Sequence, residues 1–227
     1  MKETRIVKYE IDSIPGFEDV EFTESSGRLL TVPQAFEFVR KHNSTLQTLR
    51  EALAVRIDAK GIDHADDFQW TRTGAIYVSK GNKVYVAFDD SFIEEFARRG
   101  DYTACLGDKS IAQAIERASD TKRFVEVANQ GRLEIVLSEF GQHEIVVAAA
   151  QGMAEHYASY LKSKNYSKGY FWLLKPELAK DMVEVRPVVL GIVNYYNVFA
   201  YVNFDGIGQA RGVRPAQKIS ERSKDLV

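Results

Sequence analysis

The sequence predicts an α+β protein with a mixed or antiparallel sheet and its helices clustered in the middle of the chain, as one compact domain. Three observations carry this expectation. Four segments open with Ser or Thr followed three residues later by Glu or Gln, the reciprocal capping pattern of a helix start. Apolar runs of strand character gather near both ends of the chain. Two further runs, AIYVS and KVYVAF, are joined by Lys80-Gly81-Asn82, which is hairpin-turn chemistry.

In chain order, RIVKYEI and RLLTV read as strands. The four helix starts are Thr31 with Gln34, Ser44 with Gln47, Ser91 with Glu94, and Ser110 with Gln113. Leu46, Leu49, Leu53 and Ile57 form one apolar stripe on the second helix. Gly61, Gly100 and Gly131 are the expected left-handed helix ends. The run RLEIVL after Gly131 reads as a strand. A long helix is expected from Gln142 to Lys162, with Val146, Ala149, Met153, Tyr157 and Tyr160 on one face and Gly152 inside it. That glycine costs roughly 1 kcal/mol against alanine, so a close neighbour is expected there. From Gly169 to Phe204 the order is strand, short helix at Pro176, then two strands. Residues 1–210 are expected to form a single domain, with a possible sub-boundary at 129–131. Residues 211–227, where Arg211, Arg214, Lys218, Arg222 and Lys224 face only Glu221 and Asp225, are expected to be a mobile basic tail.

Composition narrows the function classes. With 227 residues and 45% apolar side chains the chain can build a sizeable core without disulfides or metal, so no cofactor is required for stability. A formal net charge of −2 gives no general electrostatic reason to bind nucleic acid or an anionic membrane, leaving the C-terminal tail as the place where nucleic acid would bind. The single cysteine, Cys105, excludes an intrachain disulfide and a Cys-rich zinc site, which points to a reducing compartment, with the cytoplasm as the default. The opening MKETRIVKYE is charged where a signal peptide would be apolar, and the longest apolar stretch is broken by asparagines, so no membrane span is expected.

Two acidic groups could hold Mg²⁺ or Mn²⁺. Asp89 and Asp90 end an alternating apolar run, and Asp63, His64, Asp66 and Asp67 fall close together upstream. Hard cations want oxygen ligands on rigid scaffolding, and strand ends supply it. The spacing matches neither HExxH nor a calcium loop, and His143, Glu144, Glu155 and His156 do not match HExxH either. Aspartates at a helix start or in a turn explain the same residues without a metal. Cys105 lacks the flanks of a catalytic nucleophile and reads as a buried small hydrophobe.

The last strands are unusually aromatic, with Tyr195, Tyr196, Phe199 and Tyr201 preceding Arg211 and Arg214. These six residues are the expected partner-binding set, competing with ordinary core packing of aromatics. Together the residues favour a non-enzymatic binding or assembly protein that meets a protein partner or a second copy of itself. The alternatives are a divalent-metal-dependent phosphoesterase or nuclease using the acidic groups, and a single-stranded nucleic-acid binder using stacking aromatics and the tail. Whether the chain is an enzyme stays open at this level.

Overall fold

The computed structural model describes residues 6–7, 14, 16–17, 20–23, 25–58, 67–78, 83–87, 90–126, 131–173, 181–191, 197–199, 206 and 208–215. Their order begins β1 (Ile6–Val7), β2 (Val20–Thr23), α1 (Val32–Lys41), β3 (Thr45–Leu46), α2 (Leu49–Ile57), β4 (Gln69–Val78) and β5 (Lys83–Ala87). The middle of the chain contributes α3 (Asp90–Arg99), β6 (Thr103–Cys105), α4 (Lys109–Asp120), β7 (Phe124–Glu126), β8 (Gly131–Val136), α5 (Leu137–Phe140), α6 (Glu144–Ala150) and α7 (Ala154–Ser163). The last strands are β9 (Lys168–Leu173), β10 (Met182–Leu190), β11 (Asn197–Phe199) and β12 (Gly212–Pro215). The chain is thus α+β, as its pattern predicts.

The large sheet runs β7-β5-β4-β10-β11-β9-β8, with β6 also on β10, and is antiparallel except where β11 runs parallel to β9. Period-2 alternation decides what each face meets. Ala75 and Tyr77 of β4, with Val84 and Val86 of β5, pack with α2, α6 and α7, whereas Trp70 and Ile76 pack with α1, α3 and α4. Helices therefore cover both faces, which is why β4 is apolar or buried nearly throughout. Gly74 sits where a side chain would collide with the Ile93 side chain, so the missing Cβ is what lets α3 lie on β4.

A small sheet, ordered β1-β2-β12-β3, joins the beginning and end of the described chain. This alters the expected tail. Residues 212–215 are a strand paired with both β2 and β3, so 211–215 belong to the fold, and 216–227 lie outside the described residues. Leu30 of the expected strand RLLTV makes only an isolated bridge to Gly208, because Val32 already opens α1.

The helix starts show how tertiary partners choose between local signals. Helix α1 begins as expected, with the Thr31 amide donating to Gln34 Oε1 at 3.0 Å. The second start is not Ser44 but Thr48, whose Oγ1 accepts from the Glu51 amide at 3.2 Å while the Thr48 amide donates to Glu51 Oε2 at 2.6 Å. Residues 45–46 are claimed by β12, and Gln47, fully buried, donates Nε2 to the Trp70 carbonyl at 3.3 Å. Helix α3 already includes Asp90, so Ser91 lies in its first turn, and Glu94 ion-pairs with Arg40 of α1 at 3.0 Å. Helix α4 is capped by Asp108, not Ser110: its Oδ1 accepts from the Ser110 amide at 2.9 Å and the Ser110 hydroxyl at 2.6 Å. A carboxylate beside a helix N-terminus also gains from the macrodipole.

The expected long helix is two helices. Gln151 and Gly152 adopt φ of 47° and 86°, which ends α6 and redirects the chain into α7. Nothing lies within 4 Å of a Cβ built on Gly152, so the glycine serves its dihedral and no neighbour approaches. Gly100 ends α3 at φ 66° as expected, Gly131 opens strand β8 instead of ending a helix, and Gly61 lies outside the described residues. Cys105 is exposed on β6, contrary to the buried site expected of it. Among the described residues no helix is long and apolar enough to cross a membrane.

Candidate functional site

Of the aromatics expected to meet a partner, Phe199 belongs to β11. This three-residue strand is held on both edges: Leu190 of β10 faces Val198 in antiparallel register, and Tyr170 and Trp172 of β9 face Asn197 and Phe199 in parallel register. Val198 is 2% exposed and fixes the strand to the core. Phe199 is the last residue of β11, while Tyr195, Tyr196 and Tyr201 fall outside the described residues, on the segments entering and leaving the strand.

Arg211 and Arg214, grouped with those aromatics by sequence, are structural in their observed contacts. Arg211 is completely buried and its Nη1 donates to the Thr23 carbonyl at 2.8 Å, so it faces the core and not a partner. Its carbonyl accepts from the Gln47 amide at 3.2 Å, and the Gly212 amide donates to Thr23 Oγ1 at 2.8 Å. Arg214 is mostly buried and ion-paired to Glu21 at 2.9 Å. Just upstream, Gln209 Oε1 accepts from the hydroxyls of Ser25 at 3.0 Å and Ser26 at 2.9 Å, and its carbonyl accepts from the Trp70 amide at 2.9 Å. The hydrogen bonds of the seam from 208 to 214 run to the N-terminal segment, Gln47 and β4. Positive charge at a chain end suggested a tail because the acceptors lie nearly two hundred positions away.

Of the acidic groups, Asp67 precedes β4, which begins at Gln69, and Asp90 follows β5, whose last residue Ala87 pairs with Gly74 well inside β4. The Asp67 carbonyl accepts from the Nη2 of buried Arg56 at 2.8 Å, which ties the start of β4 to α2. Asp90 heads α3. Asp63, His64, Asp66 and Asp89 lie outside the described residues. Among the described residues, no group of three or more His, Cys, Asp or Glu side chains could hold a metal ion.

A concavity of about 450 Å³ opens between α2, the α4–β7 turn and the α6–α7 junction, lined by Arg50, Thr121, Lys122, Arg123, Val147, Ala148, Gln151 and Gly152. Burial holds the Arg123 guanidinium below its ordinary pKa. Nothing in the local sequence pattern marks this cleft. Its cations come from the start of α2 and the α4–β7 turn, and no local spacing links them. A groove of similar size, about 460 Å³, runs between the end of β8 and α7 and is lined by Leu137, Ser159, Lys162 and Tyr166 among others.

No family model matches the chain, and no curated protein matches it. A solved structure described as the accommodation of massive sequence variation in Nanoarchaeota by the C-type lectin fold is similar to it, with a TM-score of 0.63 and 12% identity. The likeness covers 86% of this chain and 97% of that chain. At such low identity the likeness is one of fold: this α+β chain is similar to a C-type lectin fold over most of its length.

Proposed function

We propose that this is a non-enzymatic binding protein that engages a protein partner, or a second copy of itself, through the aromatic segments flanking β11. The observation that supports this most is β11 itself, a short strand held on both edges inside a sheet covered by helices on both faces. The chain before and after it leaves from a rigid frame, and recognition residues concentrate on such segments. Tyr195, Tyr196 and Tyr201 are suited to the task, since tyrosine presents a large amphipathic surface at a low ordering cost. The fold likeness agrees with this reading. A similar fold is described as accommodating massive sequence variation, and a binding scaffold needs a fixed core beneath replaceable contacts.

The test is a triple variant, Tyr195→Ser, Tyr196→Ser and Tyr201→Ser, compared with the native chain in two assays. Sedimentation velocity over a concentration series reads self-association, and selection from a displayed random-peptide library reads recognition of a protein segment. The expected result is an unchanged melting temperature with loss of whichever association the native chain shows. Undiminished association in a folded variant overturns the reading.

A further inference from the structure

We propose that the cleft between the start of α2, the α4–β7 turn and the α6–α7 junction binds a small phosphorylated molecule. Its lining brings Arg50, Lys122 and Arg123 together and includes no carboxylate. Among the described residues neither Arg50 nor Lys122 is ion-paired, in a chain whose net charge is −2. The cationic concavity is therefore a local arrangement and not part of a generally basic surface.

Each cation is held differently. Arg50 lies 4.4 Å over the Phe17 ring, and a Cβ on Gly16 would come within 2.8 Å of its Nη2, so ring and glycine backbone together fix the guanidinium. A cation–π contact leaves the N–H fork free for hydrogen bonding. Arg123 is anchored through its backbone: its amide donates to the Ala118 carbonyl at 2.6 Å and its carbonyl accepts from the Val86 amide at 2.8 Å. It is partly desolvated, where a guanidinium gains most from an anion. Lys122, at φ 53°, is exposed at the rim.

Helix electrostatics explains one of these residues but not the others. Lys122 follows the C-terminus of α4, where a cation is favoured, whereas Arg50 is the second residue of α2, at the end where the dipole disfavours a cation. An anion in the cleft would remove that conflict. Guanidinium forks match phosphate oxygens in bidentate geometry, and about 450 Å³ is the scale of a small-molecule pocket. Val147, 47% exposed, and Ala148 give the cleft an apolar wall for the remainder of such a molecule.

The experiment uses sodium pyrophosphate as probe, with calorimetric titration of the full chain at constant ionic strength. Saturable binding is expected, weakened about tenfold or more by Arg50→Gln and by Arg123→Gln, less by Lys122→Gln, and unaffected by Lys109→Gln. Should Arg123→Gln fail to fold, Arg50→Gln and Lys122→Gln carry the comparison. No saturable binding, or equal binding by all variants, overturns the proposal. Sedimentation with phosphatidylinositol bisphosphate vesicles, without any response to pyrophosphate, also overturns it by assigning the charge to a membrane surface.

Discussion

Arg214 and Glu21 face each other directly across β12 and β2, with guanidinium Nε 2.9 Å from the Oε2 carboxylate oxygen, so one ion pair fastens residues near opposite ends of the chain. Glu21 is 3% exposed, and a buried carboxylate that loses the cation facing it is costly. Arg214→Met is expected to destabilise by about 2 kcal/mol, below the range for fully buried pairs because Arg214 retains some solvent contact. Adding Glu21→Gln should recover much of that loss. Denaturant midpoints at constant slope for the two single variants and the double variant check it, and simple additivity contradicts the pairing.

Ending the chain after Ala210 removes β12 and with it both hydrogen-bonded edges that β2 and β3 share with that strand. Loss of cooperative unfolding is expected. Ending it after Ala216 keeps β12, and if residues beyond it are a tail as their composition proposes, the melting temperature should not move. Thermal unfolding of both truncations reads the difference.

Asp108→Ala is expected to cost about 1 kcal/mol, the usual value of an N-cap side chain. The Ser110 hydroxyl, first among the causes, and the amides of Ser110 and Ile111 hold the Asp108 carboxyl below its ordinary pKa. A depressed carboxylate contributes stability that is full above its unfolded pKa, near 4, and is lost as pH falls through the lower folded value. The difference between native and variant should therefore be constant at neutral pH and shrink as acid is added below about pH 4. A difference independent of pH down to 2 would mean that the charge takes no part.

Gly74→Ala should destabilise by about 1–3 kcal/mol, because the new methyl group meets the Ile93 side chain and α3 must move off β4. Pairing it with Ile93→Val should restore part of the loss. Equal destabilisation of the single and double variants would place the cost elsewhere.

The parts of this fold that were legible in sequence are those whose partners are near in sequence. The β4–β5 hairpin and β8 follow from alternation and turn residues within a few positions. Helix starts were legible as existing, but only that of α1, at Thr31, was legible as placed. STLQTLRE contains two consecutive capping patterns, Ser44 with Gln47 and Thr48 with Glu51, and only the demands of β12 and Trp70 on residues 45–47 choose the second. Arg211 looked like tail because Thr23, its acceptor, is distant in the chain. The Arg50–Arg123 cleft was invisible for the same reason, since the turn presenting Arg123 is positioned by pairing of β7 with β5. Charge and aromaticity report what a residue can do, and the long-range register decides whether it is free to do it.

The position of β12 between β2 and β3 sets an order of events during synthesis. The N-terminal strands leave the ribosome with no possibility of completing their sheet, and the central hairpin and helices fold on local contacts first. The small sheet closes only once residues 212–215 have emerged, long after β2 and β3. Until then the edges of β2 and β3 are open to other chains, the hazard that unpaired strand edges carry. A ribosome that stalls before Gly212 releases a polypeptide that holds every strand of the large sheet and cannot close the small one.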